Sequence, residues 1–237
     1  MTARGDADRV RRSDPASRRQ RSGRARRHRG GGETADRARR SEDPHGGFPL
    51  IGSQLVARAF SAVCDLPAPR DLVLREANME DLREGLLAGQ LDVILIPAVA
   101  PLPRFEHRII EVEPIVVVGS SQEAPLEVGE AGGEQFILVP DSCGLTTFTR
   151  QLFAARALPL RTYPGEAGSY RVLEEWASMG LGAAMLPRSK LTSPDVRSRP
   201  LVDDGRAVEI SYEAVWSAGS SLGADLAFLV DRLAASR

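Results

Sequence analysis

The chain has 237 residues, 42% of them hydrophobic and 27% charged, with a formal net charge of −1; that is enough apolar material for one large domain or two small lobes with a packed core. Its two cysteines, Cys64 and Cys143, are far apart and lack CxxC or Cys/His spacing, so neither a disulfide framework nor a zinc site is indicated and a reducing compartment is the default expectation. No run approaches the ~20 apolar residues of a membrane span and no secretory h-region opens the chain, so a cytoplasmic protein without membrane contact is expected.

The near-zero net charge averages two unlike parts. Residues 1–47 hold 14 arginines against 7 acidic residues and no Leu, Ile, Phe, Trp or Tyr. Such a segment cannot bury enough apolar surface to offset its ordering entropy, and a disordered Arg/Gly-rich head is expected. Two other readings stay open. Arginine clusters such as RRQRSGRARRHRGGG (18–32) neutralise phosphates, and GC-rich coding DNA read from a wrong start or frame also yields Arg/Gly-rich sequence, a reading that suits a chain whose sole lysine is Lys190. Residues 48–237 carry 17 basic and 25 acidic residues, a mildly acidic balance that argues against nucleic-acid binding by their own surface.

From Phe48 onward strands and helices alternate, which predicts an α/β fold with a mostly parallel sheet. FPLIG (48–52) reads as a strand, followed by the helix SQLVARAFSAV (53–63), capped by Ser53 and apolar through Leu55, Val56, Ala59, Phe60 and Val63. DLVLRE (71–76) alternates like a half-buried strand. NMEDLREGLLAGQ (78–90) reads as a helix with Asn78 as N-cap, Asp81 completing a capping box, Leu82 and Leu86 facing inward and Gly89 ending it. LDVILIP (91–97), a near-continuous apolar run, predicts a strand at the centre of the sheet.

HRIIEVEPIVVVGSS (107–121) is too long for one ordinary strand and contains Pro114, so the chain is expected to leave one sheet there for another. Strand QFILVP, helix LTTFTRQLFAAR, helix SYRVLEEWASMG, strand GAAMLP and the turn RSKL follow. AVEISYEAVW (207–216) is a second long extended run, and SLGADLAFLVDRL closes the chain as an amphipathic helix through Leu222, Leu226, Leu229 and Leu233. Two long runs bracketing one α/β unit predict two crossings between lobes, with a cleft at the hinge.

The phrases EANMEDLREGLLAGQLDVILI, FILVPDSCGLTTFTRQLF and VLEEWASMGLGAAMLPRSKL, in this order and spacing, resemble the effector-binding domain of LysR-type transcriptional regulators over residues 48–237. The resemblance implies the two-lobed type 2 periplasmic-binding-protein fold with two crossover strands, lobe I at 48–117 and 210–237, lobe II at 118–209, a small-molecule effector in the cleft, and a homodimer or tetramer. It also implies a winged helix-turn-helix before the domain. Residues 1–47 show no apolar period for a recognition helix, so DNA is a partner only if an upstream helix-turn-helix exists.

In open α/β sheets ligands sit beyond the carboxyl ends of strands, where helix N-termini present unpaired N–H groups. Ser53 and Gln54, Pro97 and Ala98, and Ser142, Cys143 and Thr146 occupy such places, and Ser169 and Tyr170 open another helix. Their hydroxyls and amides suit a carboxylate or other small anion. The plainer reading makes Ser53 and Ser142 simple N-caps, Thr146 a solvated first-turn residue and Gln54 a surface residue. Cys143 at a helix N-terminus also fits a redox sensor, as in peroxide-sensing members of the resembled family, but a resolving partner is wanting, since Cys64 falls in the other lobe.

Catalysis finds no support. GxSxG, HExxH, Walker and GxGxxG patterns are absent, and no cofactor is indicated. His28 and His45 fall in the head, His107 reads as a solvated residue at a strand entrance, and Glu174 and Glu175 point apart along a helix in the manner of a solvated face. Trp176 and Trp216 read as core or partner-surface residues. A free-standing solute-binding protein of the same fold is the alternative to the regulator, and an enzyme on that scaffold comes last.

Overall fold

The computed structural model describes residues 52–120, 124–193 and 195–235; the arginine-rich head and the expected strand FPLIG, apart from Gly52, lie outside them. In chain order the elements are α1 (Ser53–Cys64), α2 (Met79–Leu87), β1 (Val93–Pro97), β2 (Phe105–Val118), β3 (Leu126–Glu127), α3 (Val128–Ala131), β4 (Gln135–Leu138), α4 (Gly144–Ala155), β5 (Arg161–Glu166), α5 (Tyr170–Ser178), β6 (Ala184–Pro187), a 3-10 turn (Arg188–Lys190), β7 (Ser198–Asp203), β8 (Arg206–Ala207), β9 (Glu209–Ser217) and α6 (Gly223–Ala234).

The two long runs are the crossover strands. β2 pairs antiparallel with β9 over residues 105–114, then changes neighbours and pairs with β6 and β7 over residues 115–118. Pro114 does not break the strand. It sits where one ladder gives way to the next, and there its missing N–H costs little. The bulge between Ile109 and Glu111 adds twist just before that change.

The sheet order is β1-β9-β2-β7-β3, with β6 beside β2 and β8 beside β7. Two expectations are corrected. The ladders are mainly antiparallel, only β3–β7 and β4–β5 being parallel among the described strands, because the chain goes out along β2 and returns along β9. β1 pairs with β9 and stands at the sheet's described edge rather than its centre; its apolar content is used by its faces, where Ile94 and Ile96 pack with Met79, Leu82 and Leu86 of α2.

Segment 71–76 forms no strand. Val73 is 87% and Leu74 54% exposed, since no described strand runs beside the segment to give its alternation a ladder. β5 and β7 were not legible as strands: RTYPGE carries Pro and Gly, which weaken strand reading, yet it pairs with β4.

The helices follow their local chemistry with one shift. Asn78 accepts the Asp81 N–H at 2.9 Å through Oδ1, the expected N-cap of α2; the Asp81 carboxylate accepts from Asn78 Nδ2 at 2.9 Å, a side-chain contact in place of the backbone N–H bond that completes a capping box. Gly89, at φ +67, ends the segment with its N–H on the Leu86 carbonyl. In α1 the buried stripe is Leu55, Ala59, Ala62 and Val63. Phe60 lies roughly 140° around the helix from Leu55 at ~100° per residue, and it is exposed, against the expectation that it faced inward. α6 buries Leu226, Leu229, Val230 and Leu233 as its period requires.

The core runs through the sheet from both faces. Phe136 and Phe153 meet edge to face at 5.4 Å, a favoured aromatic geometry; Trp216 is buried, and half-buried Trp176 packs on Tyr163.

Candidate functional site

The turn from β4 into α4 brings the sequence-nominated residues together. Cys143 N–H donates to the Pro140 carbonyl at 2.8 Å, and the Cys143 carbonyl accepts from Thr146 N–H at 3.2 Å. Cys143, with extended backbone (φ −92, ψ 130), is the N-cap of α4. Ser142 is therefore not the cap, because the switch to helical backbone falls one residue later; its carbonyl instead accepts the N–H of Met79, the first residue of α2, at 3.2 Å. Ser53 likewise is not the cap of α1: Gly52 holds that position, its carbonyl accepting from Leu55 and Val56 N–H at 3.0 and 3.2 Å.

Thr146 is buried, and its hydroxyl donates to the Val139 carbonyl at 2.7 Å, so it ties the strand end to the helix rather than facing solvent. Ser169 caps α5 by accepting the Val172 N–H at 3.2 Å. Tyr170, next in the chain, turns inward and places its hydroxyl 3.6 Å from Cys143 Sγ. Pro97, buried at the end of β1, lies against Gly144. Ala98 and Gln54 are exposed at the surface. Ser142, Cys143, Tyr170 and Pro97 thus surround one helix N-terminus, Thr146 and Ser169 brace it, and Gln54 stands on α1.

Burial dominates the titration of this cluster. It pushes the Cys143 thiol up, against the opposing effects of the Leu145 amide, the Tyr170 hydroxyl and the Thr146 amide. Burial, then the neighbouring Cys143 and Tyr212, holds the Tyr170 phenol well above its usual range, and burial with the nearby Glu113 carboxylate does the same to Tyr212. Neutral thiol and phenols make this a set of hydrogen-bonding groups rather than a nucleophile's nest.

The sequence reading missed the contribution of the crossover strands. Glu113 on β2 is buried and accepts the Ser189 N–H at 3.0 Å. Tyr212 on β9 is buried beside it. Desolvation lowers the Lys190 ammonium, which Glu113, Glu111 and Glu76 partly offset. The available signal was Glu113, two positions from Glu111 in the otherwise apolar EVEPIVVV; Tyr212 stands in phase with Ile210 and Ala214 of EISYEAVW and carried no such mark.

Two residues read as solvated are engaged. His107 faces Glu213 Oε2 at 3.0 Å through Nδ1 and the Leu102 carbonyl at 2.9 Å through Nε2. Glu174 is buried and accepts from Thr192 N–H at 2.7 Å and Thr192 Oγ1 at 2.8 Å, whereas Glu175 pairs with Arg171 on the surface. Among the described residues no three His, Cys, Asp or Glu side chains are gathered for a metal ion, and no helix is long and apolar enough to cross a membrane.

Comparison with known proteins gives this arrangement its context. A family model described as the LysR substrate binding domain matches residues 46–237. The chain is similar to a putative HTH-type transcriptional regulator protein, PtxE, of Stutzerimonas stutzeri, at 37% identity over 67 residues, which are 28% of this chain and 34% of that protein; it thus spans about a third of this curated relative. Its fold matches that of a Corynebacterium glutamicum OxyR C206 mutant with a TM-score of 0.67 at 18% identity, covering 80% of this chain and 62% of that one. It also matches a Synechocystis PCC6803 CcmR regulatory domain with a TM-score of 0.62 at 16% identity, covering 78% and 92%. The mixed α/β fold with two crossover strands and the family match over the whole globular part agree: the chain belongs to the LysR substrate binding domain family and carries its ligand-sensing regulatory domain.

Proposed function

We propose that residues 48–237 sense a small-molecule effector, a carboxylate or other small anion, between lobe I (48–117 and 210–237) and lobe II (118–209). Ser53, Gln54, Pro97, Ala98, Ser142, Cys143, Thr146, Ser169 and Tyr170 form or brace the site. The observation that carries this reading is the meeting of both halves at the N-terminus of α4, where Met79 N–H donates to the Ser142 carbonyl and Pro97 abuts Gly144. An effector bound there changes the relative stability of two lobe arrangements, which is all that a regulatory signal requires. The neutral hydroxyls of Tyr170 and Tyr212 and the positive end of the α4 dipole favour an anion. The Synechocystis CcmR domain of like fold was solved in complex with 2-PG, which supports a small-molecule occupant.

In the cell the signal modulates transcription from the cytoplasm in a homodimer or tetramer, and DNA contact enters only where a helix-turn-helix is supplied. A thermal-shift screen of the full chain against carboxylates and small anions tests the reading. The expected result is a hit whose stabilisation is lost in Ser142→Ala with the fold intact. A hit that stabilises Ser142→Ala as well as the parent protein removes this turn from the site.

A further inference from the structure

Residues 98–104, which follow β1, are held in an unusual way. Four successive carbonyls in this loop face side-chain nitrogens from three different elements. Gln151 Nε2 of α4 donates to Val99 at 2.8 Å, Arg83 of α2 donates to Ala100 and Pro101, both at 3.1 Å, and His107 Nε2 of β2 lies 2.9 Å from the Leu102 oxygen, where its protonated form donates. The Gln151 bond reaches the loop from the second α/β unit, so the loop couples the two halves. Amides and guanidiniums do not titrate near neutrality. His107 is therefore the one of these donors that a change of pH in that range can remove.

His107 has an oxygen at each end. Nδ1 lies 3.0 Å from a Glu213 carboxylate oxygen and Nε2 lies 2.9 Å from the Leu102 carbonyl; the imidazolium, with a proton on each ring nitrogen, is the form that donates to both a carboxylate and a carbonyl at once. Glu213 is buried on β9, and Arg83 is the charged group that approaches from α2. Along β2, Glu106 and Arg108 alternate to the opposite face, where Arg108 pairs with Asp231 of α6. The ring borders an open hollow of about 320 Å³ lined by residues 98–101 with Glu213, which gives the proton a route to solvent.

We propose that His107, clasped between Glu213 and the Leu102 carbonyl, is a proton-operated latch on residues 98–104, and that its deprotonation loosens the link through Val99 and Gln151 between the two halves. A neutral imidazole keeps one N–H. The charged Glu213 is the stronger acceptor and retains it, so a nitrogen lone pair then opposes the Leu102 oxygen and that bond is lost. Burial disfavours the cation, but the Leu102 and Glu213 bonds and the Glu213 charge together outweigh burial and the nearby Arg83, so the group's pKa lies above the ordinary 6.5. The sign follows. A group whose pKa is raised in the latched state contributes its full stability below pH 6.5 and loses it as pH rises through the latched value. The latch is independent of which effector binds and of whether one binds.

Two measurements on the full chain without ligand test it. Histidine Cε1–H NMR titration, with His107 assigned by its disappearance in His107→Gln, is expected to place His107 above 6.5; a value at or below 6.5 overturns the proposal. Hydrogen exchange of peptides spanning residues 98–105, corrected for intrinsic exchange, is expected to lose protection above pH 6.5 by up to about tenfold per pH unit in the parent protein and to lack that slope in His107→Gln. Equal slopes in the two proteins overturn it. Should His107→Gln fail to fold, Glu213→Gln supplies the assignment: the resonance that moves to a lower titration midpoint is His107, and if none moves the clasp does not exist.

Discussion

The missing Cβ of Gly144 would lie 2.6 Å from Cγ of Pro97, closer than side-chain carbons ever come. Pro97 ends β1, and Gly144 is the first residue of α4, so this contact sets how near the end of the first strand comes to the helix of the second unit. Gly144→Ala should force the proline ring or the helix start to shift. Overpacking of this kind costs about 1–3 kcal/mol, read as a lower denaturation midpoint with an unchanged slope. An unaltered midpoint would mean that the contact yields freely.

Thr146 separates structural from ligand roles. Its hydroxyl is buried and already committed to the Val139 carbonyl at 2.7 Å. Thr146→Val keeps the shape and strips the donor, leaving a carbonyl without this partner, and the expected loss is about 1–3 kcal/mol. Effector-induced stabilisation should survive in the variant, measured as the ligand shift in melting temperature against its own baseline.

Cys143 should be slow toward oxidants and alkylating agents. Burial raises its pKa and closes access, and reactivity belongs to the thiolate. Cys64 is exposed and is expected to react first. Mass spectrometry of the native chain after brief iodoacetamide treatment at pH 8 should find the label on Cys64, with Cys143 modified only after denaturant is added. Equal labelling of the two in the native state would revive the redox reading.

Glu174 pins the segment that follows the 3-10 turn through two bonds to Thr192. Glu174→Leu removes both acceptors and should leave Thr192 unheld, at a cost of about 1.5–3 kcal/mol for the charged hydrogen bond. Limited proteolysis should gain a cut near Thr192, while the far-ultraviolet spectrum stays the same.

Much of the architecture was written in local pattern. The Asn78 cap and Gly89 stop depend on neighbouring residues only, and both stand where the sequence places them. The long runs around Pro114 and Tyr212 betrayed the crossovers, because a strand of 14 residues exceeds what one layer of sheet needs. At the candidate site, helix starts were legible to within one residue. That residue matters: it makes Cys143 and not Ser142 the cap of α4, since the identity of a cap depends on where backbone angles change and serine chemistry alone does not decide it.

The amino-acid sequence by itself determined the long helices, most of their buried stripes and the two crossings, because each of these is a periodicity or a short-range contact; Phe60 of α1 is the exception, exposed where its stripe was expected to be buried. Only the tertiary structure decided which strands lie side by side, that β1 is at the described edge, that Tyr170 reaches Cys143 across 27 positions, and that His107 and Glu174 are engaged rather than solvated. Partners such as Glu213, 106 positions from His107, leave no mark in local pattern: a long-range hydrogen bond is created by chain folding and is chosen by burial, which leaves a polar group no water to turn to.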